Sequence, residues 1–330
     1  MASLKQYYHT LYYFSKAVFI FKRLKTYLEN EFIKDLDFPS SLKDDYFYHS
    51  SYYNRTKQYM HANHFFGELL CLLRARPLSV TERMRFANLS SCAPIFDDFF
   101  EKESHLPHIL SLLQNPVLAH VQTKEEELAV HFLNNILSSS IDREAFIQAA
   151  LQLFQAQVKS KTQKNITLSN EELLDISIKK GGFSGLMYGH LLSNDKNEDF
   201  LKMAYLLGAL GQLMDDVFDI YDDAQEGIRT FANQCDSVAE IRMILQKHQA
   251  EILLQIEKLK SLDFKTHGFL QVLKIFQSTI EIALLQYEKG VEKYHTKPQQ
   301  CLQDKRAVWL VDMERPHNIW RLFLLAANQL

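Results

Sequence analysis

Apolar residues recur every three or four positions along most of the 330-residue chain, the period of helices that press one face against a core. That period predicts helices over 3–34, 54–75, 79–101, 107–114, 124–138, 142–159, 169–192, 197–225, 237–261, 266–295 and 304–328. Two of the starts carry capping boxes, Ser79 followed by Glu82 and Ser169 followed by Glu172, in which each side chain can satisfy the other residue's orphan backbone N–H. Residues 203–214 are apolar nearly all round, as in a helix buried on every side. No internal repeat, low-complexity tract or Pro/Ser/Gly-rich linker divides the chain. One domain over 1–330 is expected, a large all-α bundle of antiparallel helices whose interior is where such folds build their sites.

Composition agrees with an all-α fold and adds one irregularity. Ten Gly and seven Pro are fewer than half of the roughly forty that average usage would give, too few for the closely spaced turns of a sheet protein. Seven of those glycines (Gly181, Gly182, Gly185, Gly189, Gly208, Gly211 and Gly227) fall within 181–227, and no proline lies between Pro116 and Pro298. A helical glycine costs about 1 kcal/mol relative to Ala. The pair Gly181-Gly182 is therefore expected to break its helix and open backbone groups beside Lys179 and Lys180, where a phosphate could bind.

The bulk charge narrows the partners. With 37 Lys and Arg against 40 Asp and Glu, the chain has no general attraction for nucleic acid. Cys71, Cys92, Cys235 and Cys301 are scattered among apolar neighbours and read as buried thiols of a reducing compartment. Lys5, Lys16, Lys22 and Arg23 interrupt the early apolar residues, leaving 17–21 as the longest run, which is short for a signal-peptide core or a membrane span. A cytoplasmic protein with no transmembrane segment is expected, and a homodimer is left open.

The chemistry lies in two acidic clusters. In a helix, Asp215, Asp219 and Asp223 form one stripe at i, i+4 and i+8 with Gln212 at its head, and no Lys or Arg occurs between Asp215 and Gly227 to relieve their repulsion. If these acids continue the buried helix into the interior, they need cations beside them, and an all-oxygen set suits hard divalent ions, Mg²⁺ above all. A second cluster stands 118 residues upstream. There Asp97, Asp98 and Glu101 end the 79–101 helix, with Asp97 and Glu101 on one face. Acids on two helices, without lysines, call for an anionic ligand to share the metal, and diphosphate is the usual ligand of Mg²⁺ held by few carboxylates.

This pair of motifs resembles the class I isoprenoid synthase superfamily, in particular class I terpene cyclases and squalene/phytoene synthases, over about residues 52–230. The resemblance implies an all-α bundle with a central active-site cavity, in which acidic motifs on facing helices hold three Mg²⁺ ions, or Mn²⁺ in their place, and a prenyl diphosphate. By position, Asp97, Asp98 and Glu101 match the first aspartate-rich motif and Asp215, Asp219 and Asp223 the second. Gly208, Gln212, Asp215, Asp216 and Asp219 also fit the prenyltransferase form of the second motif, so that motif does not choose the reaction. Squalene/phytoene-type enzymes usually have Asn where Asp215 stands. The resemblance places a diphosphate sensor on Lys180, although the usual residue there is Arg, and a backbone carbonyl that helps ionisation on Gly181-Gly182. Lys179, Arg229, Lys293 with Tyr294, and Arg306 are further candidates for the diphosphate, with Gln212 as a substrate contact.

Phe96, Phe99, Phe100, Phe183, Phe218 and Tyr221 flank the motifs and suit a dry pocket whose π faces stabilise carbocations; Phe96 and Phe183 are the lining residues expected to touch substrate. The expected activity is that of a terpene synthase, a carbon–oxygen lyase that ionises farnesyl or geranylgeranyl diphosphate and cyclises or quenches the cation. Head-to-head prenyl transfer is the alternative within enzymes and a helical interaction scaffold the alternative outside them. Chain elongation is disfavoured, because the basic segments that hold an isopentenyl diphosphate acceptor are missing. A ferritin-like di-iron site needs two Glu-x-x-His helices, and only Glu292 to His295 has that spacing. His61, His64 and Glu68 share a face but read as satisfied polar residues.

Overall fold

The structure, a computed structural model, describes residues 4–30, 36, 47, 50–101, 106–139, 141–192 and 197–328. Among them the chain is all-helical, with no strand. The helices are α1 (Leu4–Asn30), α2 (Ser51–Leu72), α3 (Val80–Glu101), α4 (Leu106–Gln114), α5 (Lys124–Leu137), α6 (Arg143–Ser160), α7 (Asn170–Leu191) and α8 (Glu198–Phe218). They continue with α9 (Ile220–Gln225), α10 (Phe231–Gln234), α11 (Val238–Ser261), α12 (Thr266–Tyr294), α13 (Arg306–Trp309) and α14 (Pro316–Asn328). Contacts group the chain into two compact units, one of residues 1–17, 156–185 and 202–330, the other of 18–155 and 186–201.

Local chemistry sets the starts. Both expected capping boxes form: Ser79 N–H donates to Glu82 at 2.8 Å and Ser169 N–H to Glu172 at 2.8 Å, while the hydroxyls accept from the Glu82 and Glu172 N–H groups. Thr230 caps the short α10 in the same reciprocal way through Asn233. The expected helix over 304–328 is instead split into α13, which ends at Trp309, and α14, which starts at Pro316, a residue suited to a helix's first turn.

In the second unit α2 packs along α3, and α3 along α5. Met60, Leu70, Phe86, Ile95, Phe132 and Ile136 are fully buried between them, each worth about 1.5–3 kcal/mol when removed from water. His64 is buried against Phe86, its ring nitrogens bonded to the Met60 and Arg83 carbonyls, and burial pushes its pKa down to about 4. Glu68 is ion-paired with Arg23, so this trio is satisfied polar structure. Pro94 lies inside α3, which nonetheless continues to carry Asp97 and Asp98.

In the first unit α12 packs on α11 and α14. Phe269, Ile280, Tyr287 and Trp309 are fully buried, and the Tyr287 hydroxyl donates to the Val217 carbonyl of α8 at 2.8 Å. Among the described residues α12 alone is long and apolar enough to cross a membrane, and half of its apolar window is buried inside the protein. All four cysteines are buried free thiols.

Candidate functional site

The glycine cluster makes a helix crossing, not a helix break. The α7 helix runs unbroken through Gly181 and Gly182, which corrects the expected opening of the backbone there. A Cβ on Gly181 would collide with the Gly208 carbonyl and come within 2.6 Å of the Gln212 Cβ; one on Gly185 would lie 2.8 Å from the Gly208 Cα; one on Gly208 would meet the Gly181 carbonyl and lie 2.7 Å from the Gly185 Cα. Three glycines thus let the backbones of α7 and α8 touch, and the cost of glycine in a helix is offset by packing. Gly182 faces the Tyr205 ring in the same way, whereas Gly211 looks into open space. The Gly181 carbonyl is consequently pressed on α8 and is not presented to a ligand.

This crossing sets what faces the second acidic stripe. The expected helix over 197–225 kinks at Asp219, whose φ of −96° and ψ of 13° end α8 and start α9. The stripe survives the kink because its own backbone is bonded i to i+4: Asp219 N–H donates to the Asp215 carbonyl at 2.9 Å and Asp223 N–H to the Asp219 carbonyl at 2.8 Å. Asp215 and Asp219 are exposed and Asp223 half-buried, which corrects the expectation that the stripe continues into the interior. The buried acid is their neighbour Asp216, 4% exposed. It accepts from the Ser177 hydroxyl at 2.5 Å and from Gln212 at 3.0 Å, and Gln212 also donates to Asp215 at 3.1 Å.

Among the described residues no Lys or Arg forms an ion pair with Asp215, Asp219 or Asp223. Burial and then the charges of Asp216, Asp219 and Asp215 push Asp223 up to about 7, against the Lys180 ammonium. Partial burial and then Asp215, Asp222 and Glu226 raise Asp219 to about 6. Burial raises Asp216 to about 6, opposed by its two hydrogen bonds and by Lys180. Lys180 therefore stands close enough to act on two of these carboxylates without an ion pair to either.

The first cluster is built differently. Asp97 and Asp98 lie in the last turns of α3, opposite α2. Arg55 donates to Asp98 at 2.5 Å and approaches Asp97 at 3.8 Å, and the Tyr59 hydroxyl donates to Asp97. Tyr52 stands near Asp98 as well, and burial followed by that negative charge pushes its phenol up to about 12. Where the acids are expected to have no lysine to balance them, an arginine, Arg55, does so. Tyr52, Arg55 and Tyr59 fall at i, i+3 and i+7, a one-face spacing that could have marked them. The side chain of Glu101 lies outside the described residues.

Several remaining candidates have structural partners. Arg229 donates to Gln234 at 3.0 Å and to the Asn165 and Leu168 carbonyls at 2.9 and 3.0 Å, tying down the segment that follows α9. Arg306 makes a two-pronged pair with Asp222, beside the stripe, at 2.9 and 2.8 Å. Lys179 is exposed and pairs with Asp175 one turn back at 2.7 Å. Lys293 lies over the ring of its neighbour Tyr294, 5.1 Å from the centroid, at the end of α12. Phe183 meets Tyr205 edge-on and Phe96 meets Phe99 edge-on. A surface groove of about 590 Å³ on α8 and α11, lined in part by Lys202, Glu251 and Lys258, holds none of the sequence-predicted residues.

Among the described residues no three His, Cys, Asp or Glu side chains converge as a ready-made metal cage. The oxygen-only stripe nevertheless fits Mg²⁺ in chemistry, since that ion takes one or two carboxylates and leaves its other positions to water and phosphate. Comparison of the chain with protein-family models, curated proteins and solved structures finds no match in any of the three.

Proposed function

We propose that the protein is a Mg²⁺-dependent class I terpene synthase that ionises farnesyl or geranylgeranyl diphosphate. One observation carries this reading: an all-carboxylate stripe, Asp215–Asp219–Asp223, in which burial and then the neighbouring acids raise Asp219 to about 6 and Asp223 to about 7, with Lys180 near but in no ion pair to it. A divalent cation relieves that repulsion, and its open positions suit a diphosphate. When bound, Mg²⁺ neutralises the diphosphate leaving group. In this reading Asp215, Asp219 and Asp223 hold metal and Lys180 steadies the anion. A metal held by Asp97 and Asp98 would have to compete with Arg55 and Tyr59. The acids act as ligands and not as general bases.

The test is diphosphate release by the purified chain with Mg²⁺ and farnesyl or geranylgeranyl diphosphate, alone and with isopentenyl diphosphate. Release with a monomeric terpene product is expected, and Asp219→Asn and Asp97→Asn should each lower the rate by at least about 100-fold. A product of doubled carbon count would assign head-to-head condensation, and a longer diphosphate chain elongation. No release with any prenyl diphosphate, or full activity in both variants, would leave the helical scaffold as the better reading.

A further inference from the structure

At one edge of the first unit, two helices turn large side chains outward. On α1, Tyr8, Leu11 and Tyr12 are 71%, 57% and 53% exposed, and on α14 Ile319 and Trp320 are 42% and 59% exposed. Single exposed apolar residues are ordinary, but a contiguous set marks a surface with a partner. A file of rings joins the two helices: Tyr7 stacks on Phe323 at 6.1 Å between centroids, and Phe323 on Trp320 at 5.7 Å. Thr10 is buried on the inward face of α1, and Tyr13 meets His267 of α12 edge-on at 5.6 Å. Tyr8, Leu11 and Tyr12, at i, i+3 and i+4, line the other face.

The charge on these helices has one sign. Within the first unit α1 carries Lys5 and Lys16 and no acid, and α14 carries Arg321 and no acid. The acids nearest α14 in sequence, Asp312 and Glu314, precede it, and Asp312 is paired with Arg315 at 3.2 Å.

We propose that this edge docks on an anionic lipid surface, with Tyr8, Leu11, Tyr12 and Trp320 at headgroup level and Lys16 and Arg321 against lipid phosphates. Tyr and Trp join an apolar body to a polar tip, which suits them to that depth, and basic helices with such a face lie in the plane of the interface. A second copy is the poorer occupant, because a two-fold contact sets the same patch on itself and would bring two cationic helices together. The attachment is peripheral: α12, the helix that could span by length, is occupied in the core through Tyr287 and Val217.

Co-sedimentation of the full chain with vesicles tests this independently of any turnover. Binding is expected to phosphatidylglycerol-containing vesicles at low salt, to weaken at high salt, and to be slight with phosphatidylcholine alone. The triple variant Tyr8→Ser, Tyr12→Ser, Trp320→Ser should lower vesicle affinity at least about tenfold. Lys16→Glu with Arg321→Glu should lower it without moving Tm, which controls for folding. Absence of binding to anionic vesicles overturns the proposal, as does affinity unchanged in both variants. A concentration-dependent dimer that the triple variant dissociates, in a protein that ignores vesicles, would assign the patch to a second copy.

Discussion

The two acidic clusters use the same side chain under opposite conditions. On α3, Asp97 and Asp98 are already served, by Arg55 on one side and Tyr59 on the other. On α8 and α9, Asp215, Asp219 and Asp223 form no ion pair among the described residues; they face one another and further acids, with the amide of Gln212 on Asp215 and Lys180 standing off. Helical spacing is the same in both places, so spacing alone does not tell a compensated motif from a starved one. The compensating residue comes from the helix opposite. A divalent ion at the second cluster would relieve repulsion, whereas at the first it would have to displace an arginine. If both bind metal, the second cluster should fill first.

The largest expected effect comes from the crossing on which the second cluster rests. Gly208→Val puts branched carbons where the Gly181 carbonyl and the Gly185 Cα already stand, and backbone on both sides cannot swing away as a side chain would. We expect a loss of about 3 kcal/mol, read as a lowered Tm, together with loss of any Mg²⁺ effect on stability. Gly211→Ala, in open space on the same helix, should instead be neutral or gain up to about 1 kcal/mol from helix propensity. Equal behaviour of the two variants would show that the crossing does not build the site.

The same contrast explains what was legible in the sequence. The all-α class, both capping boxes and the buried cysteines follow from period, local pairing and hydrophobicity, each contained in a short stretch of chain. The glycines were misread because glycine serves an open backbone and a tight crossing equally well; only the partner Gly208, about one helix further on, decides for packing. The stripe was expected inside because residues 203–214 are apolar all round. Exposure changes within a turn, however, and Asp216 rather than Asp215 or Asp219 took the buried position. Arg55 was missed because a single cation some forty residues from its acids gives no local signal.

A pH series separates the two clusters further. The folded-state pKa of Asp223 is about 7 and that of Asp219 about 6, against about 3.9 for an unfolded Asp. Both are raised, so these two groups bind more protons in the folded chain between these limits, and their contribution to stability falls as pH rises from about 4 to about 7 before levelling off. Asp223→Asn removes one of these protons. The variant should gain on the metal-free wild type over that window, by about 1 kcal/mol once solvent screening is allowed for. His64, with its lowered pKa of about 4, acts in the opposite direction but is common to both proteins and cancels. Mg²⁺ with diphosphate at pH 7.5 should raise the wild-type Tm and narrow the gap. A gap that stays constant from pH 4 to 8 would show that the stripe is not strained by its own charge.

The smallest effect is one of sign. In the metal-free protein Asp97→Asn weakens the pairing with Arg55 and the bond from Tyr59, and should cost about 1 kcal/mol at pH 7.5. Asp219→Asn removes repulsion from Asp215 and Asp223, its neighbours four residues away on either side, and should gain about 0.5 kcal/mol. Both substitutions delete one negative charge and one carboxylate oxygen, so a general effect of net charge would move them in the same direction. High salt should shrink the Asp219→Asn gain more than the Asp97→Asn loss, because Asp219 is exposed and screened while Asp97 also accepts a hydrogen bond from Tyr59. Thermal melts of the two variants, run side by side in EDTA at low and high salt, decide the matter: the same sign in both would mean that the two clusters are prepared alike.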